Sequence, residues 1–320
     1  METKSANIVV APPAQKLTEA QKDQIRKAAG TLTCRFVEAG ELSAAAEGAD
    51  IVACRHGNDL DFLKRRPVPK WVHSWSAGVD ELASPELASS GVLLTCAKSN
   101  GAIALAEHVM MLMLMLQRNM LKWLEAQRQS KWEKHIVGEL HGKTCGIIGL
   151  GYIGKETALR AKAFGMRTLG LKRNKEPVAH IDEMFDRSEL YKLLGQSDFV
   201  VVTAPHTPET DNMIDAAAIK AMKPKAMIVL VSRGNIIDED ALLTALKDGR
   251  IAGAGLDDFA IEPLPSSSPL WTAPNTIITP HNGPTSLETA QRGVDIFVDN
   301  IGRWRNGKTL RNIVDIAAGY

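Results

Sequence analysis

A glycine turn and three separated polar side chains are the residues of this sequence whose types and spacing could do chemistry. The turn reads C-G-I-I-G-L-G-Y-I-G over residues 145–154, with an apolar run before it and a helix-like run, 152–164, after it. In that setting Gly149 permits a tight turn, Gly151 lets a ligand approach the backbone, and Gly154 brings helix against strand. Amides near Tyr152 and Ile153 would then face an anion at a helix N-terminus, the arrangement that holds the pyrophosphate of a dinucleotide. The three side chains are Arg233, Glu262 and His281. Reducing a carbonyl with a nicotinamide requires a hydride donor, a cation to polarise the carbonyl, and an acid to protonate the developing alkoxide. These side chains can supply the last two. Each lies just beyond the predicted carboxyl end of a strand, which is where ligands bind in an open α/β sheet.

In an NAD site an acidic residue about 20 positions past the turn bonds the ribose hydroxyls. Here that stretch reads Leu171, Lys172, Arg173, Asn174. A carboxylate there would repel a 2′-phosphate, whereas Arg173 can pair with one through its planar fork and Lys172 can add a second charge. The expected cofactor is therefore NADP in preference to NAD.

The elements that must position these groups come in two alternating runs. Strand-like and helix-like segments follow one another at 7–11, 18–29, 32–38, 41–47, 51–54, 71–75 and 92–96, which predicts a parallel sheet covered by helices. A long apolar helix is expected over 103–127, buried between packed bodies. A second alternation supplies six strands, at 146–150, 168–171, 199–203, 227–231, 252–256 and 276–279, the number a complete doubly wound dinucleotide fold uses. Residues 286–305 read as a helix, and the tail 310–320 is expected to pack back on the first domain. The fold class is thus α/β, with two Rossmann-like doubly wound parallel-sheet domains. Residues 1–100 and 282–320 form a substrate domain into which a dinucleotide-binding domain, 101–281, is inserted, with the active site expected in the cleft between them.

The chain has 320 residues and 38 basic against 37 acidic side chains, a net charge of +1. That balance offers no whole-protein field for nucleic acid or an anionic membrane. Cys34, Cys54, Cys96 and Cys145 lie far apart with no C-x-x-C pair, against both a disulfide framework and a zinc site and in favour of a reducing, cytoplasmic setting. No secretory signal is expected, and the most apolar stretch, 102–116, is interrupted by Glu107 and His108 and falls short of the roughly 20 residues of a membrane span. The acidic pair Asp257 and Asp258 and the acidic run 238–240 suggest metal ligands, but the run opens a predicted helix, where the dipole favours acids. No metal is required.

The sequence resembles the D-isomer-specific 2-hydroxyacid dehydrogenases. The segments that carry the resemblance are SAGVD at 76–80, AEH at 106–108, Trp132, GKTCG at 142–146 leading into the glycine turn, PHTPET at 205–210, SRG at 232–234, GAGLD at 253–257, EPL at 262–264 and TPH at 279–281. They run in family order. The resemblance implies that Arg233 holds the substrate carboxylate and carbonyl, that His281 transfers the proton and that Glu262 is its partner. A carboxylate beside an imidazole favours the charged ring, so Glu262 should lift His281 above about 6.5, each unit corresponding to about 1.36 kcal/mol.

The resemblance further implies that backbone amides at Ala77 and Gly78 bind the substrate carboxylate, that Asp257 holds the nicotinamide carboxamide, and that Pro205, Thr210 and Val231 line the cofactor. Arg55, just past a predicted strand, is a further candidate for the substrate, and Trp75 for the pocket wall. A homodimer is implied, with 123–132 as a contact region. The substrate would be a small 2-keto acid such as glyoxylate or hydroxypyruvate, reduced to a D-2-hydroxy acid. Glu262 speaks against the formate dehydrogenase branch. After His281 the residues Asn282, Gly283 and Pro284 depart from the small or apolar residues of many relatives. The rival readings are a phosphoglycerate dehydrogenase and a nucleotide-sensing corepressor-type protein.

Overall fold

A computed structural model describes residues 7–13, 15–55, 60–64, 67–79, 82 and 85–316. The chain divides into two compact units, Met1–Gly101 with Thr285–Tyr320, and Ala102–Pro284 between them.

The first unit begins with β1 (Asn7–Val10), α1 (Glu19–Ala29), β2 (Thr33–Phe36), α2 (Leu42–Ala45), β3 (Ile51–Cys54), β4 (Trp71–Ser74), α3 (Pro85–Ser90) and β5 (Leu93–Cys96). Helix α1 starts where it does because Thr18 and Gln21 cap each other. The Gln21 amide donates to Thr18 Oγ1 at 3.2 Å and the Thr18 amide to Gln21 Oε1 at 3.0 Å, satisfying two N–H groups that the first turn leaves without partners. The five strands pair in parallel in the order β2-β1-β3-β4-β5. Strands β3 and β4 are buried along their whole length, as parallel strands covered on both faces must be.

The second unit opens on α4 (Ala102–Gln117) and α5 (Met120–Arg128), followed by β6 (Thr144–Ile148), α6 (Tyr152–Ala163), β7 (Arg167–Leu171), β8 (Glu183–Phe185), α7 (Leu190–Gln196), β9 (Phe199–Val202), α8 (Ala216–Ala221), β10 (Met227–Leu230), α9 (Glu239–Lys247), β11 (Gly253–Leu256) and β12 (Thr276–Ile278). The seven strands are parallel, in the order β12-β11-β10-β9-β6-β7-β8. Alternate side chains of the central strands enter two separate cores. Ile148, Val200, Val202, Ile228 and Leu230 face one, and Ile147, Val201 and Val229 face the other with α4 and α6. Each such side chain contributes roughly 1.5–3 kcal/mol by leaving water. The chain then returns to the first unit with α10 (Leu287–Arg305). The tail continues beside β5, where the Val314 amide donates to the Leu94 carbonyl at 3.0 Å.

Two expectations need correction. The helix expected over 103–127 is broken at Asn119, whose φ of 52° is left-handed; asparagine enters that region more readily than most residues, and a register of apolar residues does not reveal it. The sheet also has a seventh strand, β8, of only three residues at the edge. Its Glu-Met-Phe sequence buries Phe185 alone, too short an alternation to register as a strand.

Candidate active site

The strand order reverses at β6, which has β7 on one side and β9 on the other, and the glycine turn follows β6 directly. Gly149 has a φ of +98°, and a Cβ on it would lie 2.5 Å from the Ala204 backbone nitrogen. No other residue type fits there without moving β9's continuation. A Cβ on Gly154 would meet the Gly149 carbonyl at 2.1 Å, while Gly151 faces open space. Helix α6 begins at Tyr152 and the first amide to bond back along it is that of Lys155, so the Tyr152 and Ile153 N–H groups have no partner within the helix. An open glycine at such a helix start is a cradle a pyrophosphate fits.

Past β7, Lys172 is half-buried and lines a groove with Lys155, Glu156, Leu159, Glu176 and Val178. Arg173 is exposed, and its Nη2 lies 3.6 Å from Glu209 Oε2. A carboxylate already neighbours the cation meant for a phosphate. In the loop after β9, Thr210 Oγ1 donates to the Pro205 carbonyl at 2.7 Å and accepts from the Thr207 amide at 2.8 Å, which fixes that turn. Val231 is buried beyond β10.

Arg233, Glu262 and His281 all belong to the second unit, and the structure brings them together. Arg233 follows β10 and its Nη1 donates to the Ser232 carbonyl at 2.7 Å. A Cβ on the next residue, Gly234, would stand 1.8 Å from the Phe259 carbonyl carbon. That close approach draws the loop after β10 against the loop after β11, which carries Glu262. Glu262 Oε1 accepts from the Phe259 amide at 2.9 Å, and its Oε2 meets His281 Nδ1 at 2.8 Å.

His281 itself has a left-handed φ of 49°, a cost of about 1–2 kcal/mol for a residue with a Cβ. Asp257 holds it there. The Asp257 carbonyl accepts from the His281 amide at 2.8 Å, its Oδ1 from the Asn282 amide at 3.0 Å, and its Oδ2 from the Gly283 amide at 2.9 Å. Thr279 Oγ1 also donates to Oδ1 and lies 2.9 Å from His108 Nε2. Asp257 is fully buried, and its side chain accepts three hydrogen bonds from the segment that carries His281, two on Oδ1 and one on Oδ2. The departure at 282–284 is part of that device: Asn282 and Gly283 offer Asp257 their amides.

Sequence reasoning missed the role of Asp258. It is 3% exposed, and its Oδ1 lies 3.4 Å from His281 Nε2. Burial works against a charged His281, but the Asp258 charge and the Glu262 hydrogen bond outweigh it and hold the ring above its ordinary value, with Arg233 pulling the other way. The direction agrees with expectation, though Glu262 has help. Burial pushes the Asp258 carboxyl up to about 7, against the pull of His281. Donor atoms of Asp258, Glu262 and His281 lie within 4.8 Å of one another, a spacing one cation could bridge. Glu262 faces Nδ1 at 2.8 Å and Asp258 faces Nε2 at 3.4 Å. His108 and Thr279 are the other supporting residues the sequence did not single out, though both fall in family segments, AEH and TPH. Burial lowers the His108 value, which keeps the ring neutral and able to donate from Nε2 to Thr279.

In the first unit, Ala77 is exposed and Gly78 half-buried in the turn after β4, and Arg55 is half-buried just past β3. Asp80 of the same segment lies outside the described residues. Trp75 is not a pocket wall: it is 6% exposed, donates from Nε1 to the Ala11 carbonyl at 2.8 Å, and stands edge-on to Phe297 in the core.

A doubly wound sheet with a glycine cradle at its switch point and an arginine, glutamate and histidine grouped at strand ends defines a nicotinamide-dinucleotide oxidoreductase. The family model of the D-isomer specific 2-hydroxyacid dehydrogenase NAD binding domain matches residues 110–283. A glyoxylate/hydroxypyruvate reductase B of Pectobacterium carotovorum is 34% identical over 264 residues, 80% of this chain and 82% of that protein. A D-3-phosphoglycerate dehydrogenase of Methanocaldococcus jannaschii is 34% identical over 284 residues, 86% of this chain but only 53% of that protein, so the chain spans about half its length. Among solved structures, a D-isomer specific 2-hydroxyacid dehydrogenase from Xanthobacter autotrophicus in complex with NADPH and MES superposes with a TM-score of 0.85 at 29% identity, covering 98% of this chain and all of that one. The chain belongs to the D-isomer-specific 2-hydroxyacid dehydrogenase family of NAD(P)-dependent oxidoreductases. No helix among the described residues is long and apolar enough to cross a membrane.

Proposed function

We propose that this enzyme reduces a small 2-keto acid of the glyoxylate or hydroxypyruvate type to a D-2-hydroxy acid, with His281 as the proton donor. The observation that carries the reading is the imidazole of His281 with Glu262 on Nδ1, close enough to Arg233 to feel its charge. The bound nicotinamide would supply the hydride to the keto carbon. Arg233 holds the substrate carboxylate and draws electron density toward the carbonyl oxygen. As that oxygen becomes an alkoxide it takes the proton from His281 Nε2, since Nδ1 is committed to Glu262. Asp257 acts on this end of the site through the loop it holds. In the first unit the proposal is local: the turn at Ala77 and Gly78 offers backbone amides to a carboxylate, with Arg55 as a further cation.

NADP is the proposed preferred cofactor, supported by the absence of an acid at residues 171–174 and by the side chains of Lys172 and Arg173. A homodimer in the cytoplasm is part of the same reading; Trp132 and Ile136, exposed at 92% and 101%, support a contact surface near 123–136. The likeness to a phosphoglycerate dehydrogenase favours a second reading, oxidation of a phosphorylated 2-hydroxy acid.

The test is turnover of glyoxylate, hydroxypyruvate and 3-phosphoglycerate with both cofactors, followed by nicotinamide absorbance. Turnover of the unphosphorylated keto acids is expected, and preference for 3-phosphoglycerate would move the assignment to the second reading. Tight cofactor binding with no turnover would point to a nucleotide sensor. Arg173→Ala should raise the KM for NADPH about tenfold and leave NADH nearly untouched; an equal loss for both would remove the argument for the phosphate.

A further inference from the structure

Asp258 is placed as no peripheral acid is. It follows Asp257 directly after β11, and successive side chains leave a strand on opposite sides; Asp257 turns to Thr279, Asn282 and Gly283, and Asp258 turns to His281. Its Oδ1 is buried with no hydrogen-bond partner among the described residues, and buried carboxylates left in that state are costly unless a cation compensates.

We propose that Asp258 is a positioning residue for His281, facing Nε2 from inside the fold as Glu262 faces Nδ1, so that the imidazolium with a proton on each nitrogen is the form this site is built for. The inference rests on the reading of His281 as proton donor. A neutral imidazole carries one N–H. With that hydrogen on Nδ1, committed to Glu262, the Nε2 lone pair would confront the lone pairs of an ionised Asp258 Oδ1. A second proton turns that confrontation into attraction. At 3.4 Å the contact is longer than the ~2.7–3.2 Å of an N–H···O hydrogen bond, so the Nε2 proton is drawn toward Asp258 without being captured and stays available to an alkoxide. Once the proton has left, the same carboxylate drives the ring to take another from solvent.

Among the described residues, the charged and titratable groups around this pair are Arg233 after β10, Asp257 and Glu262 around the β11 loop, and the neutral His108 of α4 behind Asp257. Arg233 opposes a charged ring and the two facing carboxylates favour it. His281 is held above its ordinary value against burial, and the Asp258 charge is the largest influence in that direction.

The experiment is the pH profile of kcat for keto-acid reduction in the wild type, Asp258→Asn, Asp258→Val and His281→Ala. Reduction needs the protonated ring, so kcat falls as pH rises through the His281 midpoint. Removing the Asp258 charge should move that midpoint down by about one pH unit or more while KM changes less than about threefold. A uniform loss of kcat at an unmoved midpoint would mean that Asp258 only packs, and would overturn the proposal. If His281→Ala retains turnover, the proton-donor reading itself fails; if it abolishes turnover while Asp258→Asn keeps the midpoint, only this inference does. Should both Asp258 variants fail to fold, nitrogen-15 spectra of histidine-labelled wild type decide, with His281 identified by its absence in His281→Ala. Both ring nitrogens protonated at pH 7 is the expected result, and a neutral Nδ1–H ring at that pH would overturn it.

Discussion

Two histidines, one in each unit, show how the same side chain is set to opposite tasks. His73 lies in β4 and is fully buried among rings, stacked on Phe297 at 4.9 Å and edge-on to Trp75 at 5.4 Å. Burial is the cause that acts on it, and it drives its value down to about 3. His281 is also partly withdrawn from water, yet its value is raised, because Asp258 and Glu262 each face one nitrogen. A histidine in a parallel sheet is therefore no sign of acid–base chemistry. The carboxylates that turn toward it make the difference, and their effect exceeds that of burial.

The comparison is broken most severely by His281→Ala. If His281 is the proton donor, the variant should lose on the order of 10²- to 10⁴-fold in kcat for reduction while still quenching or shifting nicotinamide fluorescence on binding cofactor. Retention of more than a tenth of the rate would return His281 to the same standing as His73.

His73 makes a prediction of another kind, about stability. The Trp71 indole donates to Thr95 Oγ1 at 2.8 Å, and that hydroxyl lies 2.8 Å from His73 Nδ1. His73 Nε2 has no partner among the described residues, so the buried ring has nothing at that nitrogen to receive a second proton's charge. Between pH ~6.5, where the unfolded chain takes a proton, and about 3, the folded form refuses it. The contribution to stability is complete above pH ~6.5 and falls with pH by up to about 1.4 kcal/mol per unit. His73→Phe keeps a ring in the stack and removes the titration. Its thermal midpoint between pH 6.5 and 4.5 should fall less steeply than that of the wild type, and parallel curves would show that His73 is not what acid attacks.

Why the site was partly legible in sequence follows from these two environments. Gly149, Arg233, Glu262 and His281 stand out because few residue types can do their work and because each comes at the end of an apolar run, a position sequence marks well. Asp258 is one residue from Asp257 and of the same type; which of the two meets the histidine depends on which way each side chain leaves the strand, and that is set by packing. Trp75 is the converse case. Its place beside the loop at Ala77 suggested a pocket wall, but His73 and Phe297 claim it for the core. The parallel-sheet architecture was legible from alternation, whereas β8, three residues at an edge, and the break at Asn119 rest on local backbone geometry without a periodic signal.

The smallest effect, and the one that sharpens the comparison most, concerns the outer carboxylate. Glu262 uses both oxygens, Oε1 for the Phe259 amide and Oε2 for His281. Glu262→Gln leaves one oxygen for two donors. If that oxygen stays with Phe259, the amide NH₂ turns to Nδ1 and favours a ring that accepts there, the wrong form for an imidazolium. The charge lost is about a third exposed and already screened by water, so the midpoint of the falling limb in reduction should drop by no more than about one pH unit. The shift should be smaller than that of Asp258→Asn, whose charge lies inside the protein. Profiles measured side by side, at two ionic strengths, test the ordering. Added salt should shrink the Glu262 shift and leave the Asp258 shift nearly unchanged, and the opposite response would place the dominant influence on His281 at the surface.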